Sequence, residues 1–137
     1  MPTDDELRAI YADTKTIAVV GASSDPDKPG HNIPEYLRSV GFRIIPVSPK
    51  GGELFGETVR SSLAEIDEPV DVVDVFRPAE EAPKIATEAA AIGTKVLWLQ
   101  AGIWSDEAYT LARDEGMTVV MDMCMGATHK RLFGGGG

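Results

Sequence analysis

Five short stretches carry the residue types from which a site for a phosphorylated ligand is built. The first, IAVVGASS over residues 17–24, closes four apolar residues on Gly21 and continues with Ala22, Ser23 and Ser24. A glycine permits a tight turn, small side chains let backbone N–H groups approach an anion, and hydroxyls add donors in front of a helix start. An ordinary strand-to-helix turn has the same composition, and there is one early glycine where the fingerprint G-x-G-x-x-G has three. The second stretch is Ser48-Pro49-Lys50, which follows another apolar run. An NAD site places a carboxylate there to hold the ribose 2′-hydroxyl. Lys50 offers a cation instead, which narrows the choice to NADP or to a ligand phosphorylated elsewhere on its ribose, such as coenzyme A, against a plain solvated lysine.

The third stretch, Phe76-Arg77-Pro78, puts an aromatic ring and a guanidinium where a base or a pyrophosphate is lined. The competing reading makes Phe76 core and pairs Arg77 with Glu80 or Glu81. In the fourth, Gln100-Ala101-Gly102, the amide both donates and accepts and the glycine permits close backbone approach to a ligand, while Trp98 just before it reads as core. The fifth holds Asp122, Cys124 and His129, with His31 contributed by the first loop. Those are nucleophile and base types, but Cys124 and His129 are local neighbours with no orienting partner. They read as a small buried thiol and a surface imidazole, and no catalytic residue is assigned. One cysteine and two histidines without i,i+4 or C-x-x-C spacing predict no metal site.

The five stretches need elements to hold them. Thr3 and Glu6 form a capping-box pattern ahead of Leu7, Ile10 and Tyr11, which share one helical face. After it the chain alternates: strand TIAVVG, helix NIPEYLRSVG ending at Gly41, strand FRIIPVS, strand VDVVDVF, helix PAEEAPKIATEAAAIG, strand TKVLWLQ, helix SDEAYTLARDEG, strand MTVVMD and a short helix MGATHKRLF. Pro78 and Pro83 sit near the start of their helix, and Gly93 and Gly116 follow helix ends. Continuous apolar strands predict a sheet covered on both faces, and the alternation predicts a Rossmann-like three-layer α/β fold with a parallel sheet of about five strands. With right-handed crossovers the expected strand order is 3-2-1-4-5, and ligands then bind at the carboxyl ends, between the first and fourth strands.

At 137 residues the chain is read as one domain over 1–137, with 134–137 a flexible glycine tail. A net charge of -9 with no basic run argues against nucleic acid and anionic membrane as partners. No apolar run reaches the ~20 residues of a membrane span. An acidic, polar N-terminal stretch is no secretory signal, and a single cysteine fits a reducing cytoplasm.

Together IAVVGASSDPDKPG, YLRSVGFRIIPVSPK, GETVRSSLAEI, PVDVVDVFRPAEE, VLWLQAGI and VVMDMC resemble the small bacterial and archaeal CoA-binding proteins. That family is similar to the N-terminal CoA-binding domain of the succinyl-CoA synthetase α subunit and of ADP-forming acyl-CoA synthetases. The resemblance runs from about Lys15 to Cys124 and implies a Rossmann-like fold with coenzyme A as ligand. It implies a pyrophosphate loop at Gly21, Ala22, Ser23 and Ser24, with Lys28 helping to neutralise phosphate. It implies Ser48, Pro49 and Lys50 at the 3′-phosphate, Phe76, Arg77 and Pro78 beside the adenosine, and Gln100, Ala101 and Gly102 along the pantetheine arm. Ser48, Met123 and Thr128 depart from residues common in the family, which are Asn, Arg and Glu. The expected function is a stand-alone CoA or acyl-CoA binding module in the cytoplasm, more a binder than an enzyme. The alternatives are an NADP-dependent oxidoreductase or NADP sensor, and a regulatory partner of a larger acyl-CoA synthetase. A homo-oligomer or a protein partner is left open.

Overall fold

A computed structural model describes residues 1–134; of the expected glycine tail, Gly134 caps the last helix and 135–137 lie outside the described residues. Helix α1 spans Asp4–Asp13, and its capping box forms: the Glu6 N–H donates to Thr3 Oγ1 at 3.1 Å and the Thr3 N–H to Glu6 Oε1 at 3.0 Å. Strand β1 (Thr16–Val20) leads into α2 (Pro29–Ser39), and β2 (Arg43–Val47) follows. Helix α2 begins three residues before the expected Asn32, because Pro29 needs no N–H partner in a first turn. Its end matches expectation, with Gly41 at φ 107.

After β2 comes a two-stranded hairpin, β3 (Glu53–Leu54) and β4 (Glu57–Thr58), then a 3-10 turn at Leu63–Glu65 and strand β5 (Val72–Val75). A second 3-10 turn at Ala79–Glu81 runs into α3 (Ala82–Ala91). The rest is β6 (Val96–Leu99), α4 (Asp106–Asp114), β7 (Thr118–Val120) and α5 (Met125–Phe133).

The five main strands are all parallel, in the order β2-β1-β5-β6-β7. Counted as the five expected strands this is 2-1-3-4-5, which corrects 3-2-1-4-5. The cause is the face taken by the link from β2 to β5. Leu37 of α2 packs in one layer with Leu7, Tyr11 and Met125, whereas Leu63, Ile66 and Val70 of the link pack in the other, with Ala82, Ile85 and Ala86 of α3. A right-handed crossover that leaves β2 on the face opposite α2 passes back over β1 and lands on its far side. The switch point therefore lies between β1 and β5.

The hairpin closes off the β2 edge. The Ser48 N–H donates to the Arg60 carbonyl at 2.9 Å and the Arg60 N–H to the Pro46 carbonyl at 3.0 Å. Glu57 accepts from Arg43 at 2.7 Å and from Arg60 at 3.1 Å, tying hairpin to strand. Such a cover protects an otherwise open strand edge.

Within the layer under α1, α2 and α5 lies a carboxyl group, Asp74 of β5, with 0% of its surface exposed. Gln100 Nε2 donates to its Oδ1, and Oδ2 has no hydrogen-bond partner. Burial pushes its pKa from 3.8 up to about 7. Below pH ~4 the folded and unfolded chains both hold this proton; between about pH 4 and 7 only the fold does, so this group's contribution to stability falls as pH rises, by about 4 kcal/mol in total. Urea denaturation across this window should find Asp74→Asn growing steadily more stable relative to wild type, then levelling. A pH-independent difference between the two would contradict this.

Candidate functional site

The carboxyl ends of β1, β2, β5 and β6 open into a cleft of about 1010 Å³. The first loop forms one wall, with Gly21, Ala22, Ser23, Ser24 and Lys28 all lining it. Its shape follows from a steric limit. Gly21 has φ 91, and a Cβ on it would sit 2.8 Å from the Phe76 carbonyl oxygen and 2.9 Å from Arg77 Cδ. A Cβ on Gly30 would sit 2.6 Å from the Gly21 carbonyl oxygen. The Ser23 N–H donates to the Gly30 carbonyl at 3.1 Å, closing the loop. His31 Nδ1 lies 2.7 Å from the Ser23 carbonyl, so this nitrogen carries the proton, and its ring lies 5.3 Å from that of Phe55 in the hairpin. Pro29 and Gly30, the first turn of α2, also line the cleft.

The second wall is Ser48, Pro49 and Lys50 with Gly51, Gly52, Glu53 and Leu54 of the hairpin. Ser48 is buried, and its Oγ accepts the Lys50 N–H at 3.2 Å, so the hydroxyl shapes the turn that presents the lysine. Phe76 and Arg77 line the cleft at the end of β5. Of the two pairings weighed for Arg77, the structure forms the one with Glu81, a two-pronged contact at 3.1 and 2.7 Å that holds the Glu81 carboxyl below its ordinary pKa. Pro78 opens the 3-10 turn and lies outside the lining.

Gln100 and Ala101 line the cleft at the end of β6. The Gln100 amide is engaged beneath that floor: Nε2 donates to Asp74 and Oε1 accepts the Met125 N–H at 3.4 Å. Gly102, expected to permit close backbone approach to a ligand, does not line the cleft, and its N–H donates to Asp122 Oδ1 at 2.7 Å.

The fifth stretch stands apart. Cys124 is half-buried rather than buried, caps α5 by accepting the Ala127 N–H at 3.4 Å, and is absent from the lining. His129, expected on the surface, is packed among Tyr11, Tyr36, Phe42 and Phe133, with ring centroids 5.0–5.7 Å away. The cause is that α5 folds back over α1 and α2; Nδ1 meets the Tyr36 hydroxyl at 2.8 Å, and burial lowers the imidazole pKa.

The cleft is also lined by Gly30, Gly51, Gly52, Ser61, Ser62, Lys84, Glu88 and Ile103, none of which the sequence alone assigns to a site. Lys84 and Glu88 are i,i+4 neighbours on α3, and the glycine pair after Lys50 was a readable turn signal. Four cations, Lys28, Lys50, Arg77 and Lys84, and three carboxylates, Glu53, Glu81 and Glu88, meet in the cleft of a chain whose net charge is -9. Among the described residues, the three lysines form no salt bridge. Among the same residues, no group of three or more His, Cys, Asp or Glu is placed to hold a metal ion, and no helix is long and apolar enough to cross a membrane.

A parallel sheet with helices on both faces and a cleft at its switch point define a Rossmann-like α/β protein. The chain belongs to the CoA binding domain family, which matches residues 15–130. It is 45% identical to the solved structure of cell-free ID.343 from Thermus thermophilus, with a TM-score of 0.93 over 96% of this chain and 100% of that one. It is 40% identical over 128 residues to YneT of Bacillus subtilis (strain 168), covering 93% of this chain and 95% of that protein. It is also 35% identical over 97 residues to the alpha subunit of acetate–CoA ligase (ADP-forming) I from Pyrococcus furiosus, covering 66% of this chain and 21% of that subunit.

The steric limit at the first loop is directly testable. In Gly30→Ala the new methyl meets a backbone carbonyl that cannot swing aside, so the variant should lose about 1–3 kcal/mol, with amide shift changes concentrated at residues 21–31 in a nitrogen-correlated NMR spectrum. Wild-type stability with an unchanged loop spectrum would show that the contact is not limiting.

Proposed function

We propose that this chain binds coenzyme A or an acyl-CoA in the cleft at the β1/β5 switch point. The observation that carries the reading is the unpaired Lys50, held on a serine- and glycine-shaped turn at the end of β2, where an NAD site has a carboxylate. The residues present fit the ligand. Gly21 and Gly30 leave a loop whose backbone comes close with no side chain in the way, and the first turn of α2 and Lys28 stand beside it. In this reading Gly21 to Ser24 and Lys28 take the pyrophosphate, and Ser48, Pro49 and Lys50 take the 3′-phosphate. Phe76 and Arg77 lie beside the adenosine, and Gln100 and Ala101 form the floor along the pantetheine arm. Pro78 and Gly102 act by shaping the ends of their strands. NADP is the competing ligand, since its 2′-phosphate also suits a lysine.

A second reading is favoured by one observation: the chain spans 21% of the length of a synthetase subunit to which it is related. As part of a larger assembly it would supply the coenzyme site, with phosphoryl transfer supplied by a partner. In either case the isolated chain should make no thioester from CoA, ATP or GTP, magnesium and short acids. Thioester formation that co-purifies with the chain would overturn that.

The ligand test is a calorimetric cycle with wild type and Lys50→Ala, each against CoA and dephospho-CoA. A charge-assisted contact is worth roughly 1.5–3 kcal/mol, so Lys50→Ala should weaken CoA by about ten- to a hundredfold and leave dephospho-CoA nearly unchanged. Equal weakening of both would reduce Lys50 to a general electrostatic contributor. Tighter binding of NADP than of CoA by wild type would replace the ligand itself.

A further inference from the structure

Beneath the cleft floor lies a hydrogen-bonded chain of buried groups that ligand contact does not explain. Trp98 Nε1 donates to the Met123 carbonyl at 2.7 Å, and the Tyr11 hydroxyl donates to the Met125 carbonyl at 2.6 Å. Gln100 spans from Asp74 to the Met125 N–H. The same turn is tied to the floor: the Met123 N–H donates to the Leu99 carbonyl at 3.4 Å, the Asp122 N–H to the Ile103 carbonyl at 3.1 Å, and the Gly102 N–H to Asp122 Oδ1. Floor and α5 seat therefore share one set of bonds, with Asp74 at its root.

Asp74 stands out because, apart from the Gln100 amide on Oδ1, no donor or cation among the described residues answers a negative charge on it. Tyr11 of α1 and Trp98 of β6 have already given their donors to backbone carbonyls. Tyr36 of α2, Cys124 ahead of α5 and His129 of α5 are further titratable groups close to Tyr11 in this layer, and the Tyr36 hydroxyl and His129 Nδ1 are engaged with each other. Arg131 of α5 is turned outward to Asp4, at 2.8 Å. A protonated Asp74 leaves one neutral oxygen unsatisfied, whereas an ionised one leaves a buried charge unsatisfied, which costs far more. Relief of that charge requires water or a new donor to enter, and the elements in the way are the α5 seat and the floor bonded to it.

We propose that Asp74, acting through Gln100, is a positioning residue that couples a proton held beneath the sheet to the shape of the ligand cleft floor. With the proton in place, Gln100 holds the Met125 seat and the floor in the observed arrangement. Loss of the proton loosens both, and the cleft binds its ligand less tightly. The ligand part rests on the coenzyme A reading above, but the coupling is readable without ligand.

The test uses the full chain, labelled with nitrogen-15 and carbon-13 and free of ligand, followed by NMR from about pH 5.5 to about pH 9. The Gln100 side-chain amide and the backbone amides of Ala101, Gly102, Ile103 and Met125 should share a single one-proton transition. In Asp74→Asn, whose neutral amide mimics the protonated acid, those signals should stay near their low-pH wild-type positions throughout. In Gln100→Met the Asp74 carboxyl carbon should still titrate, while the floor amides no longer follow it. Floor amides that do not move, that move equally in Asp74→Asn, or that still follow Asp74 in Gln100→Met would each overturn the coupling.

Calorimetry with CoA supplies the second readout. Between about pH 7 and about pH 8.5, wild type should weaken by about three- to thirtyfold more than Asp74→Asn, since one linked proton gives at most about tenfold per pH unit. The variant cancels the titration of the ligand itself. Parallel affinities in the two proteins would overturn the link to binding. Binding of CoA by neither protein at either pH would instead sink the coenzyme reading, and the ligand-free titration would still decide the coupling.

Discussion

The backbone contact at the end of β1 is the constraint on which the rest of the site depends. The Gly21 carbonyl lies where a Gly30 side chain would be, and the Phe76 carbonyl lies where a Gly21 side chain would be. Three segments, the first loop, the first turn of α2 and the end of β5, thus meet with no side chain from position 21 or 30 to hold them apart. Helix α2 can approach the sheet only at this distance, and its N-terminal turn reaches the cleft only because of that approach. Helix-dipole and N–H donation fall off within a turn, so a displacement of one side-chain diameter would remove the first turn from the site. The loop has one early glycine, and its second close-packing glycine comes after an excursion, in Lys28-Pro29-Gly30.

That geometry marks what was readable in the sequence. Strand ends, helix ends and the types of residue at each strand terminus are local signals, set by apolar runs, prolines and glycines, and they agree with the structure at the five main strands and at the helix ends, though not at the start of α2 or over the hairpin and 3-10 turns. Strand order is not local. It turned on which face residues 48–71 cross, and the stretch GGELFGETVRSSLAEI carries neither a helical period nor a strand long enough to reveal it. The same limit applies to side chains. Gln100 sits at a strand end, as its position implied, but whether its amide faces the cleft or the layer beneath depends on Asp74 across the β5–β6 pair. His129 looked like a surface group because its helix is short and polar, and only the return of α5 over α1 and α2 encloses it in rings.

Charge is distributed against the average of the chain. A protein with net charge -9 presents a repulsive field to an anionic ligand at distance. Unpaired lysines on the cleft walls oppose that field locally, within a Debye length of ~10 Å. Arg77 differs from them in being held by Glu81. Its guanidinium is a preset wall in the ligand-free protein, and any phosphate recruiting it has to compete with a two-pronged carboxylate. The cleft lysines form no salt bridge among the described residues, so in the proposed coenzyme reading Lys50 would discriminate phosphorylated from unphosphorylated riboses more sharply than Arg77.

The layer under α1, α2 and α5 has a composition that stability alone does not require. Apolar contacts are non-directional, and replacing buried polar groups with well-packed apolar ones is often neutral or stabilising. Trp98, Gln100 and Tyr11 instead each spend a hydrogen-bonding group on the backbone of residues 123–125. Three directional bonds to one turn fix its position more narrowly than packing does. That turn also carries Asp122, which at φ 54 adopts a left-handed conformation uncommon outside glycine and accepts the Gly102 N–H. A turn fixed this tightly on the inside and bonded to the cleft floor on the outside is suited to transmit a change at its root. The apolar walls of the same layer are suited only to resist one.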